Sequence, residues 1–192
     1  MITFGASPAG AEFLTGSALA SGQETVPRVA MASTGLVTVA GSMRLTYFTA
    51  RKSETCTKLR SVSGNTAAVG STLAKMGLYS VAANGDLTLV ASTANTTTLW
   101  SAASTTYEVA TAAAYDLAKG ARYAFAVLVV GATTAPTLAG SGTGLSTSGE
   151  HATAPRIGGT VTGQTDLPAS VTAATLASSN AFAGLHYGVC VP

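Results

Sequence analysis

The sequence predicts an all-β protein, either a β-sandwich or a β-barrel, on three observations. Short runs of β-branched and aromatic residues alternate with turn residues along most of the chain, and no long amphipathic helix interrupts them. One of the turns contains Asn84-Gly85, a pair typical of β-hairpins. The run 122–130 is apolar at both alternating sets of positions, which indicates a strand buried on two faces.

Eight runs are predicted as strands. In chain order they cover 36–40, 44–49, 55–62, 73–81, 87–92, 105–110, 122–130 and 185–191. The turn at 83–86 predicts that the fourth and fifth runs pair antiparallel, with Asn84 and Gly85 at two positions of positive φ. In the last run, odd-numbered residues share one face and even-numbered residues share the other, and this strand is expected to close the fold.

Two segments do not follow the strand pattern and are predicted as loops or one-turn elements. Residues 110–119 are rich in alanine and end at Lys119-Gly120, which also suits a short helix with a glycine cap. Residues 167–170 contain a proline that could open a helical turn.

The chain divides into an extended N-terminal arm, residues 1–42, and a sandwich domain, residues 43–192. The arm is rich in glycine and contains three isolated large residues, Phe4, Phe13 and Leu14, which are candidate assembly contacts. The alternative is a frayed terminus. Within the domain, the Gly/Ser/Thr-rich stretch 139–154 is predicted as a long flexible loop, or as a linker to a small C-terminal piece.

Composition excludes several functional classes. Charged residues make up 9% of the chain and the net charge is +2, so the clustered cations that nucleic-acid binding requires are missing. The longest apolar run, 123–132, is about half the length of a membrane-spanning helix. The first residues lack the basic flank and apolar core of a secretion signal, so we expect synthesis in a cytoplasm.

Few residues suit catalysis or metal binding. His151 and His186 are the only histidines and therefore the only imidazole bases that a serine-based mechanism could use. The carboxylates are scattered, without metal-ligand spacing. We therefore expect no enzymatic activity, no catalytic or metal-binding residues and no cofactor. Cys56 and Cys190 are expected to be free thiols packed as apolar groups, with a disulfide between them left open.

The one cluster of charge is Arg51-Lys52-Ser53-Glu54, followed by Lys58 and Arg60. On an extended strand, positions 52, 54, 58 and 60 share a face, which indicates a solvated stripe or a charged edge. Cys56 would share that face and Leu59 would lie on the other, unless a β-bulge resets the register. Arg51 and Lys52 are also candidate contacts to a ligand or partner.

Trp100 is the only tryptophan and follows the polar segment 92–98. An exposed tryptophan here would offer a stacking platform for a sugar ring, whereas a buried one would belong to the core. Trp100 is therefore a candidate ligand contact, although the core interpretation is favoured.

Several stretches resemble those of a known module. They are Leu-Thr-Tyr-Phe-Thr-Ala-Arg-Lys-Ser-Glu at 45–54, Met-Gly-Leu-Tyr-Ser-Val at 76–81 with Asn-Gly-Asp-Leu at 84–87, Leu117 with Gly120 and Arg-Tyr-Ala at 122–124, and Gly-Gln-Thr-Asp-Leu-Pro at 163–168. Together they resemble a β-sandwich module of structural proteins of tailed bacteriophages, particularly those of actinobacteria. Each stretch is short, but their order and spacing agree over 43–192.

The resemblance implies a virion protein of the minor-tail or tail-fibre type, with a jelly-roll-like antiparallel β-sandwich. Such modules are similar to those that present host-recognising or carbohydrate-binding surfaces, usually as homotrimers. The implied partners are other virion proteins, further copies of the chain and a host-envelope glycan, without nucleic acid or membrane insertion. The implied location is the virion, on the tail or the capsid surface, after assembly in the bacterial cytoplasm. The module has no fixed site motif, so no functional residue is carried over.

Two other functions compete with tail-associated recognition. The chain lacks the long shaft of a free-standing fibre, which leaves open a capsid decoration or head-fibre protein docked on the shell through residues 1–42. An esterase acting on envelope polymers would need His151 or His186 as its base.

Overall fold

The computed structural model describes residues 22–142, 155–177 and 184–192, and they form an antiparallel all-β fold, as the sequence predicts. Strands dominate this part of the chain. In order they are β1 (Gln23–Glu24), β2 (Ala32–Val37), β3 (Met43–Thr49), β4 (Glu54–Val62), β5 (Leu73–Val81), β6 (Leu87–Ser92), β7 (Thr106–Leu117), β8 (Arg122–Val130), β9 (Thr137–Ser141), β10 (Gly158–Val161), β11 (Ser170–Val171), β12 (Leu185–His186) and β13 (Gly188–Val191). A 3₁₀ turn covers Arg28–Ala30, and the short helix α1 covers Ala173–Ala177.

The strands form three sheets. The central sheet has the order β10-β3-β8-β5-β6-β11, the second sheet β1-β13-β4-β7 and the third sheet β12-β9-β2. All pairings between these strands are antiparallel. No helix in the described part of the chain is long and apolar enough to cross a membrane.

The central sheet is buried on both faces, which confirms the prediction made from the run 122–130. On its inner face, Phe125 and Val127 of β8 pack against residues of the second and third sheets, including Leu59 and Leu138. On its outer face, alternate residues pack against the segment that follows β10. Only the two end residues of β8 are partly exposed, because this strand is covered from both sides.

The hairpin of β5 and β6 is confirmed, but its turn differs from the prediction. The strands pair antiparallel with Val81 opposite Leu87. The connection is longer than a two-residue turn: the Ala82 N–H donates to the Asp86 carbonyl over 2.9 Å, which leaves three residues in the loop. Of the Asn84-Gly85 pair, only Gly85 has a positive φ, +88°. A three-residue hairpin loop needs one such position, and glycine adopts it without steric cost.

The prediction for residues 110–119 is wrong. The strand predicted to end at 110 continues as β7 to Leu117, and β4 pairs with it as far as Glu54 opposite Leu117. Alanine has the highest helix propensity of the amino acids, but propensity is a weak determinant, and pairing with a neighbouring strand overrides it here. Gly120, predicted as a helix cap, instead lies in the turn between β7 and β8 and has a φ of +83°. The 167–170 segment is an irregular connection that leads into β11, and α1 begins only at Ala173.

The last predicted strand, 185–191, is divided in two. β12 pairs with β9, and β13 pairs with β4, so the chain passes from the third sheet to the second at Tyr187. The predicted alternation of faces nevertheless holds. Tyr187, Val189 and Val191 share one buried cluster, and Cys190 packs in the main core.

Residues 22–42, predicted as part of an extended arm, contain two strands of the folded sheets. Gln23 lies opposite Cys190 in β13, and Val37 lies opposite Thr137 in β9. Residues 22–42 are therefore part of the folded sheets, since both of their strands have partners far along the chain. Phe4, Phe13 and Leu14 lie outside the described residues, as do residues 143–154 of the predicted loop 139–154. The loop prediction is wrong for residues 139–141, which belong to β9 because they pair with β2 and β12.

Candidate functional site

The charge cluster predicted from the sequence is divided by a β-bulge in β4. The register with β7 shifts between Cys56 and Lys58, so Cys56 and Leu59 both face the core. This is the alternative that the sequence left open. Lys58 and Arg60 remain on the outer face, where they form ion pairs of 3.0 and 2.6 Å with Glu108 of β7. Their charge is thus compensated across the sheet, as expected of a solvated stripe.

Arg51 and Lys52 lie exposed in the turn between β3 and β4. The backbone N–H of Arg51 donates to Gln23 Oε1 over 2.9 Å, and Lys52 Nζ lies 2.9 Å from Glu54 Oε2. Arg51 also lines a groove of about 470 Å³ together with Glu24 and Lys119. These exposed residues remain candidate partner contacts.

Trp100 does not contribute to a surface site. Its side chain is fully buried in the main core, and its Nε1–H donates to Ser61 Oγ over 2.8 Å. The core interpretation is therefore the correct one, and Trp100 as a ligand contact is wrong, because no face of its ring is open to a sugar.

His186 is also inaccessible. It is buried, and neither ring nitrogen has a hydrogen-bond partner among the described residues. Burial, together with the nearby charge of Arg44, lowers the pKa of His186 to about 3. A base in this position cannot reach a substrate at the surface. His151 lies outside the described residues, and within the described ranges no group of three or more His, Cys, Asp or Glu side chains comes together as a metal site.

Cys56 and Cys190 are both free and buried. Interaction with the Cys56 thiol and burial together raise the pKa of Cys190 well above its usual value. Cys56 Sγ also donates to the Lys58 carbonyl over 3.4 Å.

We expect neither thiol to react with a maleimide in the native protein at neutral pH, because modification requires an exposed thiolate. Both should react in denaturant. Mass spectrometry of native and unfolded samples counts the labels. Rapid labelling of the native protein would show that the β4–β13 region opens readily.

A groove of about 800 Å³ lies at one end of the outer face of the central sheet. We call it the arginine groove. Tyr47 of β3 and Arg122 of β8 contribute from the sheet, and Arg156 contributes from the segment before β10. The β5–β6 turn and the first residues of α1 complete its walls, mainly with alanines. Its volume is in the range of small-molecule sites.

Strand pairing places Arg122 next to Tyr47. Thr49 lies opposite Arg122 and Tyr47 lies opposite Ala124, so Tyr47 and Arg122 are diagonal neighbours on one face. The guanidinium carbon of Arg122 lies 5.4 Å from the centre of the Tyr47 ring, within the range of a cation–π contact.

Backbone carbonyls hold both guanidinium groups. Arg122 Nη2 donates to the Arg156 carbonyl, and Arg156 Nη1 donates to the Leu176 carbonyl over 3.2 Å. Neither arginine forms an ion pair with a carboxylate in the part of the chain that the structure describes. The groove therefore concentrates positive charge.

The Tyr47 hydroxyl is buried beside these cations and has no hydrogen-bond partner in the part of the chain that the structure describes. Burial raises the pKa of Tyr47 to about 12, against the opposing effect of Arg156 and Arg122. At neutral pH the group is therefore an uncharged O–H that can donate a hydrogen bond. A buried polar group without a partner is rare enough in folded proteins to require an explanation.

The residues of the arginine groove could not be identified as a site from the sequence. Tyr47 and Arg122 lie within stretches quoted for the phage resemblance, but that resemblance assigns no site residues. Their convergence with Arg156 depends on pairing between segments more than a hundred positions apart, for which a single sequence gives no signal.

No known protein family matches the chain, and no curated protein matches it.

Proposed function

We propose that the chain is a structural protein of a bacteriophage virion, of the minor-tail or tail-fibre type. Its sandwich, of the jelly-roll-like kind, recognises a glycan on the host surface. It acts by binding and not by catalysing a reaction. The antiparallel all-β fold and the ordered stretches that resemble phage structural proteins support the virion context.

The arginine groove is the observation that supports recognition best. It combines an open cavity of about 800 Å³ with two arginines, a tyrosine and small apolar walls. Binding sites for small molecules typically combine apolar walls with a few well-placed polar groups. His186, the one histidine in the described residues, lies in the interior, away from this surface.

Composition supports an assembled, multivalent protein, and we propose a homotrimer. Charged residues make up only 9% of the chain, which suits surfaces that meet identical neighbours, because obligate interfaces are poor in charge. A single groove of this size binds one or two sugar units weakly. Several copies on one virion would multiply that affinity through effective concentration.

Immunogold labelling of intact virions tests the assignment. We expect antibodies against the purified chain to label the tail. Labelling confined to heads would contradict the tail assignment and support the capsid decoration or head-fibre protein. Virions that carry the chain nowhere would overturn the whole proposal.

Host recognition is tested separately by sedimenting the purified oligomer with cell walls. We expect it to co-sediment with walls of the host bacterium and not with walls of an unrelated bacterium, and native mass spectrometry of the same sample gives the oligomeric state. An intact oligomer that stays in the supernatant with host walls would contradict a role in recognition.

A further inference from the structure

The arginine groove indicates the chemical class of the ligand. Arg122 and Arg156 bring two positive charges to one cavity, and within the described ranges no carboxylate compensates either. None of the described residues that line the groove is acidic, and the carboxylate of Asp86, which follows the lining residue Gly85, accepts hydrogen bonds from the Ala173 backbone N–H at 2.7 Å and from Asn84 Nδ2 at 2.8 Å. Lys58 and Arg60 on β4 differ from these two arginines, because both form ion pairs with Glu108.

The two guanidinium groups are positioned before any ligand arrives. Each donates one hydrogen bond to a backbone carbonyl, Arg122 to Arg156 and Arg156 to Leu176. A guanidinium has five N–H donors, so most of them remain for a ligand. Arginine recognises carboxylates and phosphates through paired N–H donors, and fixing the side chain beforehand lowers the entropic cost of binding.

The Tyr47 hydroxyl is an independent observation that points to a ligand. Tyr47 is only 8% exposed and lines the groove beside Arg122 and Arg156, and its buried oxygen has no hydrogen-bond partner among the described residues. In the absence of a ligand this O–H loses its hydrogen bond to water and gains none. An anionic oxygen held by the arginines would supply the missing acceptor.

The remaining walls suit a sugar ring. Ala82, Ala83, Ala173 and Ala174 are small and apolar, so they leave room for a ring and offer contact to its C–H groups. An inorganic anion alone would fill only a small part of about 800 Å³.

We infer that the arginine groove binds an anionic sugar unit, whose carboxylate or phosphate lies between Arg122 and Arg156 and accepts a hydrogen bond from the Tyr47 hydroxyl. This inference rests on the proposed function, since it names the class of surface glycan that the protein recognises. A uronic acid and a phosphorylated sugar offer the same chemistry to the groove.

Calorimetric titration of the full chain tests the inference. The probes are glucuronate, glucose 6-phosphate, inorganic phosphate and, as the neutral match, glucose. We expect at least one anionic sugar to bind at least about tenfold more tightly than glucose. The anionic sugar with the higher affinity shows whether the groove prefers a carboxylate or a phosphate. Glucose binding as tightly as both anionic sugars would overturn the inference, as would phosphate binding more tightly than both.

Four variants locate the site. Arg122→Gln and Arg156→Gln should each weaken the anionic sugar about tenfold or more, because each removes charge-assisted hydrogen bonds. Tyr47→Phe keeps the buried ring, so it should remain folded, yet bind several-fold more weakly. Arg60→Gln, which removes an arginine from the opposite sheet, should bind like the wild type. This site would be contradicted if folded Tyr47→Phe bound the anionic sugar with wild-type affinity. It would also be contradicted if Arg60→Gln lost as much affinity as Arg122→Gln and Arg156→Gln.

The outcomes separate the inference from the proposed function. If the protein co-sediments with host walls but binds neither anionic sugar, the function stands and the anionic ligand is wrong. If it binds an anionic sugar in the groove but is absent from virions, the site stands and the virion function is wrong.

Discussion

Replacing Trp100 by alanine is expected to destabilise the protein by about 3–5 kcal/mol. Trp100 is the largest of the fully buried side chains and belongs to the main core between the sheets. Truncation removes its apolar contacts, leaves a cavity and deprives the buried Ser61 hydroxyl of its 2.8 Å partner. The surrounding strands are tied into sheets and can close such a cavity only in part.

The backbone at Trp100 adds to this expectation. Its φ is +63°, a backbone conformation that residues other than glycine rarely adopt. Its carbonyl accepts a 2.7 Å hydrogen bond from the Ala68 N–H. Packing of the indole holds the backbone in this conformation. Loss of the indole therefore also makes the segment between β6 and β7 less ordered.

Trp100→Phe is the matched control for the indole N–H. It keeps an aromatic ring in the core, so its cost should be smaller than that of alanine, although the lost hydrogen bond and the smaller ring still destabilise. Circular dichroism during denaturation measures both variants, because Trp100 is the only tryptophan and the variants lose its fluorescence. A loss below about 1 kcal/mol for Trp100→Ala would contradict full burial.

The fold was predictable where information was local. The β-prone runs of β3 and β5, the two apolar faces of β8 and the Asn84-Gly85 turn identify strands and a hairpin from neighbouring residues alone. The extension of β7 was not predictable, because alanine has little strand preference and only pairing with β4 makes that segment a strand. The bulge in β4 could be stated only as an alternative, since both registers satisfy the local sequence.

The candidate site was less predictable than the fold. Trp100 is a candidate ligand contact in the sequence because it is the only tryptophan. Whether it is buried depends on which other parts of the chain pack over it, and the local sequence does not determine that. Tyr47, Arg122 and Arg156 are common residue types in unremarkable surroundings. They become a site only because β3 pairs with β8 and because the segment before β10 lies over the same end of the sheet.

Acidification provides the second large effect, because His186 is buried as a neutral group. Arg44, on the adjoining β3, faces it with a positive charge, and the neighbouring groups on β3 and β9 are the uncharged Thr46 and Gly140. Burial first and Arg44 second lower the pKa of His186 from 6.5 to about 3. The unfolded chain therefore binds a proton at this residue over a pH range in which the folded protein does not.

This difference in proton binding makes the folded protein less stable as the pH decreases. Between pH 6.5 and 3 the unfolded state binds more protons at residue 186, so stability is complete above pH 6.5 and falls as the pH decreases. One pKa unit corresponds to about 1.36 kcal/mol, so two pH units below 6.5 remove roughly 2–3 kcal/mol. Glu108 and Asp166 have lowered pKa values from their pairing with cations, but both are exposed and their contribution is lost only below about pH 4.

Denaturant unfolding between pH 7.5 and 4.5 measures this effect, and the chain offers a matched pair of variants. His186→Leu fills a similar volume without a titrating group, so whatever its stability at neutral pH, we expect its stability to change little over this window. His151→Gln removes the only other histidine and should retain the wild-type slope. If stability still falls with decreasing pH in His186→Leu but no longer does so in His151→Gln, the acid sensitivity comes from His151. That result would contradict the burial of His186 as a neutral group beside Arg44.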